Sequence, residues 1–253
     1  MLLSIELHAY VFFIYFDFRW VSTISSKPGI SKQVLNMLQT KAEADPINHS
    51  YCSIMIDGMS IRKHLDWDPK RQEMVGFVDL GAGSLDNDAG EATEAVVVMA
   101  VGLQGQWKVP VAYFLINGIS AEVQSQLVLS VISSLYEAKV NVVALVMDGL
   151  NANQKMANVM GCSLAVDDMR SSFPHPSDSS RLVHVFFDAC HLLKNVRGAL
   201  HALQEIVSSV GTAKWKHIVL LQELQTSEGL HIDPTDDPTD TDSEDCELSD
   251  LAR

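Results

Sequence analysis

Three short apolar runs each end in an aspartate, and this pattern constrains the fold more than any other feature of the chain. Cys52–Ile56 runs into Asp57, Val142–Met147 into Asp148, and Leu182–Phe187 into Asp188. Runs this short and this apolar read as buried strands. Helical periodicity lies between and after them. Val123, Leu127, Val131 and Leu135 fall on one face of a helix predicted from Ala121 to about Ala138, with Ser120 as its N-cap. A second helix is predicted over Asn151–Met160, closed by Gly161, and a third from His191 to about Val210. Strands alternating with helices make an α/β layer around a sheet.

The remaining elements make that sheet mixed. Ala95–Leu103 and Val109–Ile116 read as two long strands joined by a Gly-containing hairpin at Gln104–Gln106, and Pro110 suggests an edge position for the second. Ser31–Ala42 reads as a helix ended by Asp45-Pro46, Ile61–Pro69 as irregular with a helical turn, and Met74–Val78 as a short strand. Loops are predicted over Gly81–Gly90 and Phe173–Ser180, and Trp215–Glu223 reads as a helix. The ends differ from this middle. Met1–Trp20 holds the apolar run Ala9–Phe16 but is interrupted by Glu6, His8, Asp17 and Arg19, so it fits neither a membrane span nor a signal peptide, and no membrane association is expected. Ile232–Arg253 holds nine acids and one Arg and is expected to be disordered.

Charge and cysteine content exclude some function classes. The net charge of −14 excludes a generally basic protein that coats nucleic acid. The acidic tail carries −8 of it, which leaves the rest mildly acidic. Cys52, Cys162, Cys190 and Cys246 show no metal-knuckle spacing and read as reduced thiols of an intracellular protein. No G-x-x-x-x-G-K-[ST] sequence is present, and Gly81-Ala82-Gly83 lacks the third glycine and helix of a dinucleotide fingerprint.

The strand-end aspartates carry the chemistry. In open α/β sheets functional groups gather at the carboxyl ends of strands. Converging carboxylates repel one another, and a hard divalent cation, Mg²⁺ or Mn²⁺, resolves that repulsion. Two such ions can serve phosphoryl transfer. A strand-end Asp is also a common helix N-cap, so each aspartate has a structural alternative. His191, Lys194 and Arg197 follow Asp188 at intervals of three and share much of one helix face, which could meet a phosphate backbone or simply be solvated.

Several blocks, in order, carry a resemblance. They are IMIDGMSIRKH at 54–64, VGFVDLG at 75–81, TEAVVVM at 93–99, WKVPVAYFLING at 107–118, MDG at 147–149, SFPHPS at 172–177 and FDACHLLK at 187–194. Together they resemble the RNase H-like catalytic domain of P-element-type transposases, including their THAP-domain relatives in animals, over roughly Lys27 to His231. The resemblance implies an RNase H-like mixed sheet with flanking helices, truncated before the end of the fold. It matches Asp57 and Asp148 to the first two acids of a DDE metal triad, on the first and fourth strands, which are spatial neighbours. Asp188 then heads the segment leading to a GTP-binding insertion domain, whose opening WKHIVLLQELQ at 215–225 resembles.

The departures set the functional expectation. Gly58 stands where relatives often carry Glu. The resemblance to the insertion stops near His231, the family's third acid has no counterpart, and no zinc-bearing DNA-binding domain is seen. The expected layout is a leader at 1–26, an RNase H-like domain at 27–210, the start of a truncated insertion domain at 211–231 and an acidic tail at 232–253. The resemblance implies a nuclear protein of the DNA transposition lineage, with Asp57 and Asp148 as catalytic and metal residues, Asp188 as a further metal residue, and His191, Lys194 and Arg197 on DNA phosphate. DNA is the implied partner and a homo-oligomer is compatible. GTP is not expected to bind, since the insertion is incomplete, and strand cleavage by this chain alone is not expected. The rival reading is a non-catalytic domesticated or relic interaction protein that keeps the fold.

Overall fold

A computed structural model describes residues 27–69, 72–81 and 90–229. The expected leader, the middle of the Gly81–Gly90 loop and the acidic tail lie outside the described residues. The chain divides into a body ending at Asp188 and a second unit beginning at Ala189, earlier than the expected domain boundary at 210.

The body is built on a seven-stranded mixed sheet. Its strands are β1 (Gly29–Ile30), β2 (Tyr51–Ser60), β5 (Glu94–Gly102), β6 (Lys108–Ile116), β7 (Asn141–Met147), β8 (Ser172–His175) and β9 (Asp178–Phe187), in the order β1-β6-β5-β2-β7-β9-β8. A separate antiparallel hairpin pairs β3 (Asp66–Asp68) with β4 (Glu73–Val75). Among the described residues four α-helices belong to the body: α1 (Lys32–Ala44), α2 (Pro46–His49), α3 (Ala121–Glu137) and α4 (Asn151–Met160).

The sheet is antiparallel on one side of β2 and parallel on the other. β2, β5 and β6 form an antiparallel meander, whereas β7 lies parallel to β2 and β9 parallel to β7. The parallel connections run through α3 and α4, as parallel strands require. Among the long strands β2 and β7 are neighbours, as the resemblance implies.

The core is where the apolar periodicities meet. Val34, Leu38 and Ala42 of α1, Val128, Val131, Ile132 and Leu135 of α3, and Met156 and Ala157 of α4 are buried with Ile54, Val98, Val111, Leu145 and Val183 of the strands. Every second residue of β5 from Val96 to Ala100 is buried, as alternation on a pleated strand predicts. The caps read from sequence are present. The Ser31 and Ser120 hydroxyls accept from Val34 N and Val123 N, and Gly161 ends α4 at φ 110°, where a Cβ would be strained.

The structure corrects several expectations. β2 continues past Asp57 to Ser60, because β5 still pairs with it there after β7 has ended. The segment read as irregular between Ile61 and Pro69 contains β3, and that read as a loop at Phe173–Ser180 is the β8–β9 hairpin. Polar residues hid both, since an edge strand needs only one buried face. Pro110 sits in β6 beyond the two-residue partner β1 and beside the register shift at Val98/Met99, so its missing N–H falls where pairing is already interrupted.

Among the described residues the second unit comprises α5 (Ala189–Leu203), a hairpin of β10 (Glu205–Ser208) and β11 (Gly211–Lys214), and α6 (Trp215–Ser227). The helix expected to run to Val210 therefore stops at Leu203. Gln204 adopts φ 62°, which turns the chain into the hairpin. No helix of the described residues is long and apolar enough to cross a membrane.

Candidate functional site

The pairing of β2, β7 and β9 sets the three aspartates side by side. Met55 is level with Val146, so two residues further along the parallel register Asp57 is level with Asp148. Met147 is level with Phe187, so Asp148 is level with Asp188, and Asp188 N donates to Met147 O at 2.8 Å. Neighbouring strands lie about 4.8 Å apart. The carboxyl edge of the body therefore carries a row of acids, with Asp57 exposed and Asp148 and Asp188 half-buried.

Asp148 is the best anchored of the three. Its Oδ1 accepts from Leu150 N at 3.0 Å and from Asn153 Nδ2 at 2.5 Å. Asn153 is buried, and its own Oδ1 accepts from Gln124 Nε2 of α3 at 2.8 Å. A chain of amides thus fixes the carboxylate, and both of its bonds fall on one oxygen. The N-cap alternative is met only loosely: the N-cap of α4 is Leu150, and Asp148 bonds it from two residues upstream.

Sequence reasoning missed Glu94, Asn153 and Gln124. Glu94 opens β5, level with Ser60, and its carboxyl is held above the usual range by burial and then by the negative charges of Asp148 and Asp57. It is therefore a third acid near the pair. A Cβ on Gly58 would collide with the Glu94 carboxylate, so the glycine beside Asp57 makes room for it. The sequence holds a Glu at the head of an apolar strand, but only the antiparallel register reveals which aspartates it faces. Among the described residues no group of three or more His, Cys, Asp or Glu is arranged closely enough to hold a metal ion by itself.

His191, Lys194 and Arg197 lie on α5 in the second unit. Helical spacing puts them and His201 on one side, and Leu192, Leu193, Val196 and Leu203 on the other. No residue of α5 is buried. The guanidinium of Arg197 lies over Trp215 at 5.9 Å from the ring centroid, and His201 meets the same ring edge-on at 4.8 Å. Neither Trp215 nor His201 was foreseen as part of this face, because the intervening hairpin was not.

The family model of the TNP-like RNase H N-terminal domain matches residues 26–161, more than half of the chain, and that of the TNP-like GTP-binding insertion domain matches residues 190–240. The chain belongs to the P-element-type transposase family. Over 210 residues, 83% of its length, it is 37% identical to the DNA transposase THAP9 of Homo sapiens, and it spans 23% of that relative. Its fold matches the Drosophila P element transposase strand transfer complex with a TM-score of 0.62 and 21% identity, over 83% of this chain and 41% of the other. The chain thus spans less than half the length of either transposase. The insertion-domain match begins at 190, close to the division after Asp188.

Proposed function

We propose that this P-element-type chain is a divalent-metal- and DNA-binding core of the DDE lineage, in which Asp57 and Asp148 hold Mg²⁺ or Mn²⁺ and Asp188 extends the same edge. The observation that carries the reading is the shared level of Asp57 and Asp148 on adjacent parallel strands. The donor set fits a hard cation: these are carboxylate oxygens, and the Glu94 carboxyl, raised first by burial, is raised further by the negative charges of Asp148 and Asp57 that a cation would neutralise. A bound divalent ion supplies Lewis-acid activation and charge neutralisation to phosphodiester chemistry.

The chain's own residues prepare that edge. Gln124 and Asn153 orient Asp148, and Asp57 extends from a strand that β5 alone still supports at that height. Lys194, Arg197 and His191 contribute a phosphate-contacting face, which accords with a nuclear, DNA-associated role. The transposase relatives support DNA as the partner.

One observation favours binding without turnover. Two level aspartates can hold a cation with water completing its shell, whereas two-metal phosphoryl transfer requires two cations and both reacting oxygens held in line. The purified chain with Mn²⁺ and supercoiled plasmid at low salt is therefore expected to bind DNA without nicking it. Nicking that vanishes in Asp57→Ala would overturn this and restore catalysis to the isolated chain.

A further inference from the structure

The second unit carries a charge asymmetry that the metal edge does not use. Between Ala189 and His217 lie Lys194, Arg197, Lys214 and Lys216 against a single acid, Glu205, which pairs with Lys214 at 3.3 Å and leaves an excess of three cations, in a chain of net charge −14. The fold brings the α5 cations up to the start of α6. α5 sets Lys194 and Arg197 on one side with His191 and His201, and the β10–β11 hairpin returns the chain so that Trp215 lies against Arg197 and His201. Trp215 N donates to Gln204 O at 2.9 Å, which fixes the start of α6 beside the end of α5. α6 has no side-chain cap at its N-terminus, so its first N–H groups add partial positive charge to the same end of the unit.

We propose that the acidic segment Asp233–Asp250 docks on this cationic surface as an intramolecular counter-charge and competes there with nucleic acid. The docking rests on complementarity and reach. The competition rests on the reading of the α5 face as a phosphate contact. The segment 232–253 has nine acids and one Arg, a net charge of −8, opposite in sign to the surface. It begins just past α6, whose 13 residues span about 20 Å. The roughly 20 Å from the end of α6 back to Trp215 is within the reach of about six residues, which span at most about 3.3–3.6 Å each. The remaining acids are then available to Lys194, Arg197 and Lys216. A segment tethered this closely acts at an effective concentration on the order of mM. An affinity in trans of roughly 0.1 mM would therefore weaken DNA binding about tenfold within the chain. Salt weakens both contacts, since exposed charges are screened beyond about 10 Å at 0.1 M.

The test uses the full chain with the nine tail acids replaced by Asn or Gln, and a labelled peptide spanning residues 232–253. The peptide is expected to bind the neutral-tail chain in a salt-sensitive manner. Binding should fall stepwise with Lys194→Gln plus Arg197→Gln and then with Lys194→Glu plus Arg197→Glu. A fluorescein-labelled DNA duplex is expected to bind the neutral-tail chain about tenfold more tightly than the native chain at low salt. A peptide that fails to bind, or that binds the charge-reversed variant equally well, overturns the docking. Equal duplex affinity of the two chains, with the peptide bound, overturns the competition. Peptide binding with no duplex binding by either chain removes the DNA reading of α5 and leaves the docking in place.

Discussion

The carboxylate of Asp148 owes its orientation to two amides rather than to solvent. Asn153 is buried and bridges Asp148 to Gln124, so its loss strands two polar partners at once. A buried group left without its partner costs about 1–3 kcal/mol. Asn153→Ala is therefore expected to lower stability by about 1–2 kcal/mol in denaturant unfolding and to weaken Mn²⁺ binding through the misplaced carboxylate. Unchanged metal affinity in a destabilised variant would reduce Asn153 to a purely structural role. Asp57, Asp148 and Asp188 were legible in the sequence because each closes an apolar run, a local pattern. Asn153 and Glu94 were not, because an amide one turn into a helix and a Glu at a strand start look ordinary until strand register and helix packing place them. Gly58 read only as a departure from the family, and its contact with Glu94 gives that departure a physical meaning.

At the scale of elements, strong hydrophobic period decided what could be read. β5, β6, β7, α3 and α4 carry buried residues at a clear spacing of two or three to four, and all five were foreseen close to their observed bounds. The strand β4 was foreseen as Met74–Val78, but its partner β3, the hairpin β10–β11 and the edge strand β8 were missed: β3 and β10–β11 are largely polar or exposed, and β8 sets the buried Phe173 and His175 in a Pro- and Ser-rich stretch, so tertiary pairing supplies their order. The β8–β9 hairpin also holds a titratable pin. His175 is buried, its Nδ1 accepts from Ser177 N at 3.1 Å, and its Nε2 has no hydrogen-bond partner among the described residues. Its ring meets Tyr136 of α3 at 5.0 Å. Burial lowers its affinity for a proton below the ordinary value of 6.5; Asp178 opposes the shift and Arg181 reinforces it. The depressed side of the linkage applies: the stabilisation is present above the unfolded value and is lost as pH falls toward the folded one. Stability should therefore decline as pH drops below about 6.5, and the slope should be shallower in His175→Phe. Parallel pH profiles of the native chain and the variant would exclude His175 as the source.

At the scale of the molecule, the family and the fold agree on a body in which a parallel and an antiparallel half of one sheet meet at β2. That meeting puts Asp57 beside Asp148, and the functional reading depends on it. The body's topology was legible because several sequence blocks match the family in order, whereas the path of the second unit was not, because no residue of α5 or α6 is buried and the sequence pattern alone does not say how they pack. The most direct test is a Mn²⁺ titration of thermal stability on the full chain beside Asp57→Asn, Asp148→Asn and the double variant. A ligand that binds only the folded state stabilises it by RT ln(1 + [L]/Kd), so at tenfold excess over Kd the native chain should gain about 1.4 kcal/mol, a rise in Tm of roughly 3–5 °C. Each single variant should lose most of that rise and the double variant all of it. A full rise in the double variant would place the cation elsewhere and contradict the assignment of Asp57 and Asp148.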